Sequence, residues 1–513
     1  MPWFPIRRVG WWSSAARLFR VPADMRTLIT ARWVVGHRDG RHVLLDRGCV
    51  VVEGTSIIFA GHDFPGEVAR TVDAGNAIVA PGFVDLDALS DLDTTILGFD
   101  NQPAWRKGRI WPRSYIDAGP YEMYDRAELA FQKRHAFAGL IRNGITTALP
   151  IASLFYRVWG ETVEEFTDAA DTAEALGLRV YLGPAYRAGG MVVEDDGTIG
   201  EIFDEARGLA GLDDAIRFCR TIEGRAGGLI RTMLSPDRVE TCTPELLRRT
   251  AAAGRDLAVP VRLHCCQSVL EYTNVLRLRG MSPPEWLASL DFLHPGVLLP
   301  HGTYVSGVPG IDRPGNDLGI IADSGASLVH CPLVSSRHGS ALRSFAKIRS
   351  SGINIGMGTD TSPSDMILNM QIGMRMCRTM DGGTGTCRSE DFFDAATIGG
   401  AAALGRRDLG RLQAGAKADL VVIDLDRPSL GQVIDPIQTL LLAGQGDDVR
   451  SVMIDGRWVM RDRIIPGVDE VADAARAQAQ FDGLMTKYPE RTWSHPPVAD
   501  IFSSAYAIER RPT

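Results

Sequence analysis

A chain of 513 residues with a formal net charge of −8 is long enough for a large α/β core, and no Lys/Arg run forms the basic stripe that nucleic acid would require. Hydrophobic residues at 45% and charged residues at 23% are ordinary for a globular protein, and no window approaches the roughly twenty apolar residues that cross a bilayer. The eight cysteines (Cys49, Cys219, Cys242, Cys265, Cys266, Cys331, Cys377 and Cys387) are scattered without a Cys-x-x-Cys pair. That spacing favours reduced thiols in a cytoplasmic protein over a disulfide framework or a structural zinc site.

Residues 1–26 are rich in Trp, Arg and Pro and lack the apolar core and cleavage site of a signal peptide. They read as an arm, packed on another subunit or simply ordered as an extension. Residues 27–80 have β texture: short Val/Ile runs such as Cys49–Glu53 and Ser56–Ala60 alternate with Gly, Asp and Asn turns. The same texture returns at 411–465, in Ala418–Asp424 and Ser451–Met460, so the two pieces are expected to build one small sandwich from both ends of the chain. A helix and tail would occupy 466–513.

Between them, over 81–410, apolar strand-like runs alternate with helical ones, the pattern of βα repeats closing into a TIM-like (β/α)8 barrel. Helices are expected at 127–142 and 162–175, each leading into a strand, Gly144–Ala148 and Gly177–Gly183. Four later runs end in polar residues of catalytic type: Val259–His264, Gly296–His301, Ala326–His330 and Ile353–Asp360. A single His at a strand end is usually a satisfied structural group. Four such endings in series point to a site, because a parallel barrel carries its chemistry at the C-terminal ends of its strands.

The barrel opens on Ala80–Asp91. Pro81-Gly82 is a sharp entry turn, followed by an apolar strand with a carboxylate-rich end. This run resembles the first-strand signature of the amidohydrolase superfamily, Pro-Gly-Phe-Val-Asp-x-His-x-His, with Asp87 and Leu89 at the two His positions. The resemblance extends over most of 27–465 and is nearest to the cytosine deaminase and triazine chlorohydrolase branch. Its parts are Gly144-Ile-Thr-Thr, Gly177-Leu-Arg-Val, His264 with Gln267 and Glu271, and Val297–His301-Gly. Further on come His330-Cys-Pro, Gly356-Met-Gly-Thr-Asp360 and Leu412–Val422.

The resemblance implies hydrolysis of a C–N bond, amide or ring-amino, in a small cyclic or aromatic molecule by activated water. It also implies a divalent metal held by Asp87, His264 and Asp360 with His301, where His301 orients the metal-bound water. The Glu that shuttles protons in such proteins is here Gln267, an amide without a titratable proton near neutral pH. Leu89 offers no donor at all.

Two readings of these residues stay open. In the first, a mixed oxygen/nitrogen set suits Zn²⁺, Mn²⁺ or Fe²⁺, zinc foremost. In the second, His264, His301 and Asp360, with Gln267 alongside, act as a metal-free acid–base set in a lyase, isomerase or hydrolase, or the barrel serves as a non-catalytic subunit. A carboxyl with a raised pKa is expected among Asp87, Asp91 and Asp93, although a solvated loop is the plainer account of the last two. Cys265 or Cys266 reads as a nucleophile or, more simply, as rim packing, with the two side chains on opposite faces of a strand. Substrate contacts are expected from Trp105, Trp111, Arg113 and Tyr115 after the first strand, with Arg106 and Arg109 as further carboxylate partners. Phe155, Tyr156 and Trp159 form a second aromatic cluster, and Tyr186, Thr303, Tyr304 and His330 complete the set. The implied partners are a small-molecule substrate and a second copy of the chain, with no nucleic acid and no membrane.

Overall fold

The computed structural model describes residues 26–92, 110–119, 122–152, 157, 159–342, 345–501 and 504–509. Trp105, Arg106, Arg109, Asp93, Phe155, Tyr156 and the arm up to residue 25 lie outside them.

Eight parallel strands form the barrel: Phe83–Leu89, Ile145–Ile151, Arg179–Leu182, Ile230–Thr232, Val261–Arg262, Val297–Pro300, Ser327–His330 and Ile355–Met357. The first strand pairs with both the second and the eighth, and the bridges Leu234–Val261 and Arg238–His264 close the gap between the fourth and the fifth. The chain turns into the first strand at Gly82, where an added Cβ would lie 2.1 Å from the Thr146 side chain, so no larger residue fits there. The expected helices are present as Arg126–Arg142 and Val163–Leu176. Asp125 and Glu128 close a capping box on the first, and the second ends at Gly177 with φ 79°.

Around the barrel lie a four-stranded sheet built on Thr27–Thr30 and a six-stranded sheet. In the latter, Ala77–Pro81 pairs antiparallel with Leu420–Asp424, so strands from both ends of the sequence share one sheet. Ala77–Pro81 runs directly into the first barrel strand. The junction is held by Arg179, 1% exposed, whose guanidinium donates to Asp419 at 2.8 and 3.1 Å.

Near the barrel mouth, Trp111–Pro112 adds as a parallel strand to the hairpin Gly189–Val193/Ile199–Phe203. The helix Glu470–Lys487 and the turn Tyr488–Arg491 pack over this edge. Arg491 stacks on Trp111 at 4.2 Å, and Trp111 stacks on Tyr115 at 5.3 Å. Among the described residues, no helix is long and apolar enough to cross a membrane.

Candidate active site

The fifth strand ends at Arg262 and isolated bridges carry its pairing on through His264 and Cys265, so alternation sends Arg262 and His264 to the same side. Nδ1 of His264 lies 2.7 Å from the backbone carbonyl of Asp237. A carbonyl only accepts, so Nδ1 carries the proton, and Nε2 presents its lone pair to the barrel interior in the neutral ring. That nitrogen is 3.5 Å from Oδ2 of Asp87.

Arg262 donates to the other Asp87 oxygen, Oδ1, at 2.7 Å in a pair with side chains 1% and 0% exposed. Burial pushes the Asp87 carboxyl up, but His264, Arg262 and His301 outweigh it and hold the group well below the ordinary carboxylate range.

His301 follows the sixth strand with φ 79°, a left-handed conformation for a non-glycine residue, and its ring stacks on His264 at 5.4 Å. Such backbone strain collects at functional sites. Among the described residues neither ring nitrogen of His301 has a hydrogen-bond partner, although the ring is fully buried. Burial, then His264, pushes the ring well below the ordinary histidine range, so it is neutral and its lone pair is available. Donor atoms of Asp87, His264 and His301 all lie within 4.8 Å of one another. Asp360, at φ 45°, stands beside them with Oδ2 3.7 Å from Nε2 of His301. Two inward-facing imidazoles, of which His301 is neutral, and an ionised carboxylate in a dry pocket are a donor set that a divalent cation satisfies.

A second layer holds these groups. Asp85 accepts from the Thr359 amide (3.0 Å), the Thr359 hydroxyl (2.6 Å) and the Asp87 amide (3.2 Å), and the Asp360 amide donates to the Asp87 carbonyl at 2.7 Å. The raised carboxyl of this neighbourhood is therefore Asp85, pushed up to about 7 by burial, and not Asp87. Asp91 is buried rather than solvated.

Past His264, Cys266 adopts φ 61°, which breaks strand alternation. The two thiols then lie 3.6 Å apart, both buried, instead of on opposite faces. The hydrogen bond with Cys265, and then burial, push the Cys266 thiol well up, which disfavours a nucleophile. Both oxygens of Glu271 accept backbone N–H groups, from Cys266 at 2.5 Å and Gln267 at 2.8 Å, and this fixes the loop. Arg238, from the segment after the fourth strand, donates to the side-chain oxygen of Gln267.

Several expected substrate contacts are engaged elsewhere. Arg113 is paired with Glu194 at 2.8 and 2.9 Å. Trp111 and Tyr115 are buried against the C-terminal helix in a cluster with Tyr488. Tyr186 is buried with its hydroxyl 3.0 Å from that of Thr250, and Tyr304 packs against the main core. His330 faces outward between Phe345 and Phe392, at 5.7 and 6.3 Å, while the next residue, Cys331, approaches Asp87. Leu89 lies in an apolar cluster with Leu149 and Ile151. Sequence reasoning missed Arg262, Arg238, Asp85 and Asp237. For Arg262 the signal was there, two residues before His264 on one face of a strand.

A model of the amidohydrolase family matches residues 78–459. A 5-methylthioadenosine/S-adenosylhomocysteine deaminase of Halobacterium salinarum is 30% identical over 455 residues, covering 87% of this chain and 95% of the relative. A 5′-deoxyadenosine deaminase of Methanosarcina mazei is 25% identical over 451 residues, covering 86% and 95%. Among solved structures, an adenosine deaminase from Xanthomonas campestris with bound zinc superposes with a TM-score of 0.73 at 21% identity, over 91% of this chain and 100% of that one. The atrazine chlorohydrolase of Arthrobacter aurescens, complexed with zinc, gives 0.71 at 22% identity over 88% and 99%. At these identities the structures establish a shared fold.

Proposed function

The chain belongs to the amidohydrolase family, its deaminase relatives hydrolyse carbon–nitrogen bonds other than peptide bonds, and we propose that it deaminates an adenine-type nucleoside with water, releasing ammonia. The observation that carries this reading is the convergence of Asp87, His264 and His301 within 4.8 Å, with neither nitrogen of His301 hydrogen-bonded among the described residues. Asp87 Oδ2, His264 Nε2 and a His301 nitrogen would hold a divalent metal, zinc foremost, with Asp360 at its edge. When bound, that ion lowers the pKa of a coordinated water toward neutrality and polarises the ring carbon under attack.

The residues do the remainder. Asp237 locks the His264 tautomer, Arg262 keeps Asp87 ionised and turned toward the site, and Asp360 accepts the proton of the attacking water and returns it to the leaving amine. Gln267 positions the ring without exchanging a proton. The described residues give all eight cysteines as free thiols, which suits the cytoplasmic setting we assign. A homo-oligomer is the assembly we assign, to be checked by light scattering.

One observation favours a second reading. The Arg262 guanidinium already supplies a positive charge at 2.7 Å from Asp87, which suits a metal-free acid–base set. Elemental analysis of protein purified without chelator, with ammonia release from 5′-deoxyadenosine measured on the same samples, separates the two. About one equivalent of metal, lost together with activity in Asp87→Ala, is expected. Folded, active protein without metal moves the mechanism to the second reading, and a folded protein that releases no ammonia from any adenine nucleoside rejects the assignment.

A further inference from the structure

A guanidinium is costly to place inside a barrel wall, so the contacts of Arg262 call for a reason. Its backbone N–H donates to the Leu234 carbonyl at 2.9 Å, which fixes the residue in the wall. The side chain is 1% exposed, and its Nε has no hydrogen-bond partner among the described residues. Nη1 lies 2.7 Å from Oδ1 of Asp87 and 3.5 Å from Nε2 of His264.

The second of these distances is the informative one. A group that supports a metal ligand ordinarily stands behind it, as the Asp237 carbonyl does at Nδ1 of His264. Arg262 instead meets His264 at Nε2, the nitrogen that would hold the ion. It also divides the Asp87 carboxylate: Oδ1 goes to the guanidinium, and only Oδ2 is left facing His264.

Two effects of Arg262 on a bound cation oppose each other. By holding Oδ1 it orients Asp87, and the loss of such an orienting contact lowers metal affinity about 10–100-fold. Its charge works the other way, cancelling that of the carboxylate. One unit charge at about 4 Å from another, at an effective dielectric of about 20, shifts an equilibrium roughly a thousandfold, and a divalent ion feels more. The charge wins.

We infer that Arg262 is a built-in competitor for the metal: its guanidinium shares Asp87 with the ion and serves as the counter-charge of Asp87 when the ion leaves. The site therefore holds a divalent cation loosely and exchanges it while the barrel stays ordered. This rests on the proposed metal site and names the residue that sets its affinity.

The test uses metal-stripped protein titrated with Zn²⁺ and Mn²⁺, unaltered and as Arg262→Met, Arg262→Gln and Arg262→Lys. Affinity is read by calorimetry against a competing chelator, and the melting temperature of each protein is measured with and without metal. Methionine removes charge and donor, glutamine keeps a donor toward Asp87 without the charge, and lysine keeps the charge. Both neutral variants are expected to bind Zn²⁺ at least about 10-fold more tightly than the unaltered protein, and glutamine more tightly than methionine. Arg262→Lys should bind less tightly than either. Metal should raise the melting temperature of the neutral variants more than that of the unaltered protein, and a neutral variant that folds only with metal supports the inference in the same way. Neutral variants that bind no more tightly than the unaltered protein overturn it. So does an affinity of about picomolar in the unaltered protein, whatever the variants do; either result leaves the metal site standing. Metal bound by the neutral variants but not by the unaltered protein upholds the role of Arg262 and moves the mechanism to the metal-free reading. No metal on any of the four proteins overturns both.

Discussion

Gly358 lies where the eighth strand passes the first, and a Cβ built there would be 2.6 Å from Cβ of Asp87 and 3.0 Å from Sγ of Cys331. Neither neighbour is the free end of a flexible chain, so Gly358→Ala must push the strands apart beside the site. A stability loss of ~1–3 kcal/mol is expected, the range for overpacking a filled core. Activity should fall at least 10-fold, because Asp87 moves relative to His264. Urea unfolding and kcat/KM measured on the same variant check both; an unchanged kcat/KM would mean that the placement of Asp87 is not critical. His264 and His301 were legible because a polar residue ending an apolar strand run is conspicuous in sequence. Arg238 was not, since it lies in an irregular segment whose closeness to Gln267 depends on barrel closure between the fourth and fifth strands.

At the scale of elements, the seventh strand shows how one residue of parity changes a reading. Ser327–His330 alternates so that Val329 and Cys331 share the apolar cluster of the first strand, while His330 projects into the packing layer with Phe345 and Phe392. Four polar strand endings looked alike in sequence, but only three of them, after the fifth, sixth and eighth strands, meet, and they are joined there by Asp87 of the first strand. Burial pushes the His330 ring down to about 3, below the ordinary 6.5. The unfolded chain therefore binds a proton near pH 6.5 that the folded chain refuses. Stability from this group is fully present above pH 6.5 and is lost as pH falls toward 3, with a slope of up to ~1.4 kcal/mol per pH unit. His330→Phe should flatten the stability profile across pH 4–6 by that share. Denaturant midpoints at several pH values give the answer, and identical profiles for the two proteins would exclude His330 as a contributor. The aromatic loop after the first strand was misread for a different reason. Trp111 and Tyr115 find their partners in Tyr488 and Arg491, and no local pattern announces that a C-terminal helix will fold back over the barrel mouth.

For the whole molecule, the largest commitments are charges buried between layers. Arg179 joins the third barrel strand to Asp419, with side chains 1% and 3% exposed, and reaches Asp455 at 3.2 Å. Arg179→Met would leave Asp419 without its guanidinium partner in a dry junction, and a loss of ~3–5 kcal/mol is expected. Arg179→Met with Asp419→Leu should recover part of it, because the desolvation cost disappears with the second charge. Thermal unfolding of the single and double variants tests this, and a double variant no more stable than the single one would show that the pair acts by packing alone. The parallel barrel was legible from alternating strand and helix runs. The arrangement of the sheets around it depended on pairings between distant segments, for which the residues carry only β texture.

The sheet shared by the two ends of the sequence also sets a schedule for synthesis. Ala77–Pro81, the lead-in to the first barrel strand, needs Leu420–Asp424 as its neighbour, and His37 meets Gln413 across 376 residues. At roughly 5–20 residues per second, a ribosome takes on the order of half a minute to supply that partner. During this interval the nascent strand has an open edge and the barrel has no seal at its entrance. The emerging chain is therefore expected to depend on holdase chaperones in a way that the finished protein does not.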